Sequence, residues 1–173
     1  MPDATRAEAG GGGAAYPLVR MASDEDLPAV ARMRAHWTGA EPGDDAGFDR
    51  RLADWWQRQG SERVLWVALA DDGPAGMANL AVFERMPRPN RPVSRWGYLA
   101  NLWVEPAYRR QRIGLALVDR VVGWSSEQSL DRVVLNPSEM SMSLYRSRGF
   151  RPAGDLLRLD LRLDLRPDLR QQL

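Results

Sequence analysis

Three arginines and a glycine within six residues, Arg109, Arg110, Arg112 and Gly114, suggest the first chemistry in this chain. They open the stretch YRRQRIGLALVDRVVGW, Tyr108 to Trp124, whose second half is apolar and periodic. A strand that runs straight into a helix leaves the first helical amides unpartnered, at the positive end of the helix dipole. Arginine's planar fork matches phosphate oxygens. Gly114 lets a ligand reach the main chain, and Ala116 keeps the same turn small. A pyrophosphate would suit such a set of amides and guanidiniums. Taken alone the string is common, and a run of arginines is more often a solvated helix start. The turn QRIGLA is neither a lysine-bearing phosphate loop nor a dinucleotide fingerprint, because it holds no Lys and one glycine.

The elements that must position this turn can be read from periodicity. Tyr16–Ala22 (YPLVRMA) is a strand. Ser23 with Asp26 forms a capping box, with Asp in place of Glu, and Leu27, Val30, Met33 and Trp37 follow at helical spacing to about His36. Pro28 sits near the start of that helix, where its missing N–H costs least. Thr38–Gly47 is a loop, and Phe48, Leu52, Trp55 and Trp56 mark a second helix ending near Gly60. Two strands then form a hairpin around Asp71–Pro74. A proline-rich loop, MPRPNRPVS, leads to a longer strand, RWGYLANLWVEP, stopped by Pro106.

Ile113, Leu117 and Val121, with Val118 and Val122, make the next helix amphipathic to about Ser126. Arg132–Asn136 (RVVLN) is a short buried strand. SEMSMSLYRSRGF is a short helix closed by Gly149. LLRLDLRLDL alternates as a strand. The order β-α-α-β-β-β-α-β-α-β predicts an α/β (α+β) domain with a central mixed sheet flanked by helices. Residues 1–15 are a Gly/Ala-rich tail expected to be disordered, 16–166 the domain, and 167–173 a loose tail.

Composition narrows the function. With 173 residues and no Cys, a single domain can bury a core without disulfides, and thiolate ligands and nucleophiles are excluded. Every basic residue is Arg, so no lysine can form a Schiff base. The single histidine, His36, excludes the usual multi-histidine metal sites and reads as a satisfied or surface residue. The net charge of +1 gives no field toward nucleic acid. No apolar run approaches the roughly 20 residues of a membrane span, and the N-terminus lacks a secretory pattern. These points suggest a soluble cytoplasmic protein without a metal, acting on neither nucleic acid nor membrane.

At the turn the sequence resembles the GNAT superfamily of N-acetyltransferases. The pattern Q/R-x-x-G-x-G/A falls on Gln111, Gly114 and Ala116. VEPAYRRQRIGLAL matches the common V-x-P-x-x-R-x-x-G-I-G-x-A-L, and LYRSRGF, Leu144 to Phe150, matches the ending L-Y-x-x-x-G-F. The resemblance covers about Leu18 to Leu163. One departure is Arg112, where the family often has glycine. An unusual backbone dihedral there would strain an arginine, and the expectation is an outward side chain that helps hold a 3′-phosphate or meets solvent.

The resemblance implies acetyl-CoA as cosubstrate. It implies a pyrophosphate on the amides of Arg110, Gln111, Arg112, Ile113, Gly114 and Leu115, with Arg109 and Ala116 flanking. The pantetheine arm would lie along Leu102, Trp103 and Val104 like an added strand. Asn136 and Ser138 match positions that touch the cofactor, although Asn136–Pro137 also reads as an ordinary strand stop. Trp103 reads as wall packing. Tyr145 matches the tyrosine that donates to the leaving sulfur.

No base is readable. Glu84, Glu105 and Glu139 stand near strand ends, and many relatives let water carry the proton. Trp37–Trp56 and Met86–Ser94 would shape the acceptor pocket. There Glu41, Asp44, Asp45, Asp49 and Asp54 beside Trp37, Phe48, Trp55 and Trp56 would suit a cationic amine, or they are solvated acids and core aromatics. The implied function is acetyl transfer to a small-molecule amine. The alternatives are a protein N-terminal or lysine acetyltransferase and a non-catalytic acyl-CoA-binding module. The alternating last strand offers an edge for a homodimer.

Overall fold

The computed structural model describes residues 17–154 and 156–159, and in these it carries a five-stranded sheet ordered β1-β2-β3-β4-β5. The strands are β1 (Leu18–Met21), β2 (Arg63–Ala70), β3 (Gly73–Glu84), β4 (Arg95–Val104) and β5 (Val133–Leu135). The first four pair antiparallel, and β5 joins β4 parallel. The helices are α1 (Leu27–Thr38), α2 (Phe48–Gln59), α3 (Ile113–Glu127) and α4 (Met142–Arg146). This is the expected mixed sheet with flanking helices. Of the alternating last strand, residues 156–159 form no regular element and 160–165 lie outside the described residues, as do the tails at 1–15 and 167–173.

Both faces of the sheet are covered, which is why β2 reads as an almost unbroken apolar run. Its odd residues, Leu65 and Val67, pack with Val30, Met33 and Met77 under α1 and α2. Its even residues, Trp66 and Ala68, pack with Leu80, Leu99, Leu117, Val118 and Val121 under α3. Gly76 on β3 lets α3 seat closely. A Cβ there would stand 2.9 Å from Ile113 Cγ2 and 3.0 Å from the Trp103 carbonyl oxygen.

At the start of α1 the Asp26 carboxylate accepts the Ser23 N–H at 2.7 Å, the return half of the expected capping box. It also takes two bonds from Arg20, at 2.6 and 2.8 Å, and that guanidinium holds its pKa below the usual carboxylate range. The helix runs two residues past His36, to Thr38.

Candidate active site

The centre of the molecule is a gap between two strands that begin as neighbours. β4 and β5 pair only over Gly97–Leu99 and Val133–Leu135, and β4 then continues to Val104 without β5. Two local features separate them. Pro137, just past β5, has no N–H to extend a ladder. On β4, Ala100 and Trp103 face Asn79 and Met77 of β3, so β4 has one residue more than β3 in this interval. That extra residue makes a β-bulge, with Asn101 left-handed at φ 54°. The gap holds a cavity of about 650 Å³ lined among others by Leu102, Trp103, Asn136, Ser138 and Tyr145. Five residues singled out from sequence therefore share one cavity.

The arginine turn stands beside the far end of β4. Gly114 faces Leu144 of α4 and Val104. A Cβ on it would meet Leu144 Cδ2 at 3.5 Å and Val104 Cγ2 at 3.8 Å, ordinary contact distances. The first helical bond is Ala116 N–H to the Arg112 carbonyl, at 2.9 Å. The amides of Arg110 through Leu115 have no backbone acceptor among the described residues. Arg110 and Arg112 are both left-handed, at φ 65° and 64°. Two left-handed residues one position apart bend the main chain sharply, and turns of this kind can gather successive N–H groups into an anion-binding concavity. Arg112 thus adopts the unusual dihedral that glycine would take without strain, while its side chain is exposed.

The side chains of the turn divide. Arg110 and Arg112 are exposed and make no side-chain contact among the described residues. Arg109 folds back: its guanidinium donates to the Val104 carbonyl at 3.2 Å and lies 4.8 Å from the centre of the Trp103 ring. Gln111 donates to the Ala107 carbonyl at 3.3 Å. Ile113 and Ala116 bury their side chains, so only their backbone faces outward. Two of the three arginines therefore remain to meet an anion, and Arg109 braces Trp103.

Tyr145 is 7% exposed and lines the cavity. Its hydroxyl has no hydrogen-bond partner among the described residues, and burial pushes its pKa up to about 12. It stays a neutral donor. The five-residue α4 is too short to hold it unaided. Gly149, left-handed at φ 83°, turns the chain so that Phe150 N–H returns to the Tyr145 carbonyl at 3.2 Å and the Phe150 ring packs edge-on against Tyr145 at 5.7 Å. Arg148 pairs with Asp119, tying α4 to α3. Ser138 and Ser141 bond to each other at 3.0 Å at the cavity rim.

Of the three glutamates, Glu84 and Glu139 are exposed and do not line the cavity. Glu105 is 7% exposed, and its carboxylate is already engaged. It faces His36 Nδ1 at 2.9 and 3.0 Å, accepts Trp103 Nε1–H at 3.3 Å, and lies 3.7 Å from Arg32 Nε. His36 lines the cavity with Tyr145. In the neutral tautomer that donates Nδ1–H to Glu105, Nε2 carries the lone pair, and Nε2 has no hydrogen-bond partner among the described residues. The sequence reading took His36 for a satisfied or surface residue. No spacing signal links His36 to a carboxylate 69 positions away.

The acids between α1 and α2 do not face the cavity. Asp45 pairs with Arg51, Asp44 accepts the Glu41 N–H, and Asp54 lies 4.0 Å from Arg50 on the surface. A second cavity of about 550 Å³ lies under α1 and α2 and shares Tyr98, Ala100 and Asn101 with the first. It is lined by Arg34, Arg51 and Arg63 and by no carboxylate. The acids line cavities of their own: Glu41, Asp44, Asp45 and Asp49 stand with Phe48 around one of about 220 Å³, and Glu41 joins His36, Trp103 and Glu105 around another of about 690 Å³.

No group of three or more His, Asp or Glu among the described residues could hold a metal ion. No described helix is long and apolar enough to cross a membrane.

Comparison with known proteins agrees with this geometry. Glucosamine 6-phosphate N-acetyltransferase of Trypanosoma brucei brucei is 27% identical over 143 residues, 83% of this chain and 95% of that protein. A GCN5-related N-acetyltransferase from Ralstonia eutropha JMP134 superposes with a TM-score of 0.65 at 27% identity, covering 83% of this chain and 98% of that one. A protein of Clostridium acetobutylicum, described as a predicted acetyltransferase and crystallised with acetyl-CoA, shares the fold with a TM-score of 0.65 at 24% identity, over 84% of this chain and 96% of that one. The model of the Acetyltransferase (GNAT) family matches residues 29–150, so this chain belongs to the GNAT family and is an acetyltransferase.

Proposed function

We propose that the protein transfers the acetyl group of acetyl-CoA to a primary amine of a small molecule, by direct attack with both substrates bound. One observation carries this reading. The cavity where β4 leaves β5 is lined both by His36, held on Glu105, and by Tyr145, whose hydroxyl has no hydrogen-bond partner among the described residues.

The residues present fit the cosubstrate. The free amides of Arg110–Leu115 and the exposed Arg110 and Arg112 suit a pyrophosphate, and Gly114 leaves the approach to the main chain open. The unpaired edge of Leu102–Val104 suits an extended arm that bonds as a strand does. Acetyl-CoA supplies an activated acyl group on sulfur.

The chain's own residues then move one proton and stabilise the leaving sulfur. His36 Nε2 takes one from the attacking amine, and Glu105 is its positioning residue, fixing the tautomer. As the C–N bond forms and the C–S bond breaks, the Tyr145 hydroxyl donates a hydrogen bond to the departing sulfur, whose charge is balanced by the proton the amine gives up. Choice of a small molecule over a protein acceptor follows the activity of the trypanosomal relative, a glucosamine 6-phosphate N-acetyltransferase.

The test is the melting temperature with and without acetyl-CoA, followed by CoA release across a panel of small amines. A ligand present at a hundred times its dissociation constant stabilises by about 2.7 kcal/mol. An upward shift together with amine-dependent CoA release is the expected result. No shift at millimolar acetyl-CoA overturns the reading.

A further inference from the structure

The second cavity holds charge that no carboxylate among the described residues balances. Arg34, on α1, is half-buried. Its guanidinium stacks over the Trp37 ring at 4.4 Å and has no hydrogen bond or ion pair among the described residues. Burial alone pulls its pKa below the ordinary arginine range. Arg63, on β2, sits across the same cavity. It donates to Gln59 at 2.5 Å and to Asn79 at 3.3 Å, lies 5.1 Å from the Trp55 ring centre, and meets no carboxylate. Asn79 is itself only 3% exposed. Arg51, the third arginine of the lining, is neutralised by Asp45.

Folded chains rarely leave a buried charge unpaired, because desolvation penalises it. Stacking on Trp37 and Trp55 fixes both guanidiniums in place, and the neutral amides around Arg63 cannot cancel its charge. An anion from outside the chain would. The walls of this cavity and of the His36–Tyr145 cleft share Tyr98, Ala100 and Asn101 of β4, so the two are neighbours. A molecule seated in both would have one end at the acyl-transfer point and the other between the arginines.

We infer that the acceptor is an amine that also bears a carboxylate or a phosphate, held by Arg34 and Arg63 in the pocket between α1, α2 and the sheet. This rests on the transfer reading above and adds the acceptor's charge, which reverses the cationic acceptor suggested by the acids of the α1–α2 loop.

Two matched pairs of amines test it: glucosamine 6-phosphate against glucosamine, and β-alanine against propylamine. Each is assayed for acetylation with wild type, Arg34→Gln, Arg63→Gln and Arg34→Lys. The melting temperature of the CoA-saturated protein is read in parallel, so that the turn is already occupied. In one pair the anionic member should have a kcat/KM at least about tenfold higher, the ratio that about 1.4 kcal/mol of charge pairing gives. The preference should vanish in both glutamine variants and return in part with Arg34→Lys. The pair that responds distinguishes phosphate from carboxylate. The acetyl-CoA melting shift of each variant reports that it is folded.

Equal rates within both pairs, or a preference that survives both glutamine variants, overturn the inference while leaving acetyl transfer intact. Stabilisation by the anionic members that depends on Arg34, without acetylation of any amine, sustains the anion site and overturns the transfer reading instead.

Discussion

At the start of α3, Arg110 and Arg112 stand in solvent around a row of free amides. Under α1 and α2, Arg34 and Arg63 lie stacked on tryptophans in a pocket without a carboxylate. If both hold anions as proposed, the backbone would do so in the first region, with the exposed charges adding a contribution that salt screens. In the second, side chains would do so, and partial burial would make each charge count for more. A glycine and a bent main chain would then decide the first, and the identity of two arginines the second.

The largest effect that breaks this comparison is expected at Gly114. Gly114→Glu brings a carboxylate into the turn from the side of Leu144 and Val104, where a Cβ meets only ordinary contacts. Acetyl-CoA affinity should fall by about a hundredfold or more, roughly 2.7 kcal/mol, and the melting temperature without ligand reports that the variant is folded. The readout is loss of the melting shift. If the shift survives, the turn is not where the cosubstrate's anion lies.

Tyr145→Phe acts where the two regions meet. Turnover should fall by about a hundredfold with acetyl-CoA affinity unchanged, in the range of a positioned hydrogen-bond donor. The phenol also has a pH signature. Its folded pKa is raised from 10.0 to about 12, so the stability it contributes is complete below pH 10 and lost as pH climbs toward 12. Thermal scans over that window should show a shallower alkaline loss in the phenylalanine variant. Unaltered turnover would remove Tyr145 from the chemistry.

His36→Gln should lower kcat by about tenfold, less than a full general base contributes, because water can carry the proton in its place. The change should leave cosubstrate binding alone. An unchanged kcat would make the His36–Glu105 pair purely structural. The smallest effect is expected from Arg112→Gly. It removes left-handed strain at the cost of one charge, and the net change in stability should stay within about 1 kcal/mol. A large fall in acetyl-CoA affinity would show that the Arg112 side chain, and not the amides, holds the anion.

The sequence signalled one region far better than the other. The turn is local: Gln111, Gly114 and Ala116 stand within six positions, and the helix that follows is periodic, so the amide cradle could be read before the fold. The left-handed geometry of Arg110 and Arg112 could not, since arginine rarely adopts it. The arginine pocket is assembled from α1, α2, β2, β3 and β4, and no spacing joins Arg34 to Arg63 or His36 to Glu105. The acids of the 39–47 loop drew attention because they are clustered in sequence, yet they serve local pairs such as Asp45 with Arg51. The β4 bulge at Asn101 left no mark of its own, because an asparagine in a strand does not by itself announce a left-handed turn.

The positive charge around the cavities has a further chemical property. Every cation there is a guanidinium, and the whole chain contains no lysine. A lysine at the mouth of the cleft would from time to time shed its proton and become a nucleophile next to an activated acyl group. Arginine holds its proton at any physiological pH and does not react in this way. The charged groups that gather the substrates thus cannot be consumed by the reagent they hold, and repeated exposure to acyl thioester leaves the charge of this site unchanged.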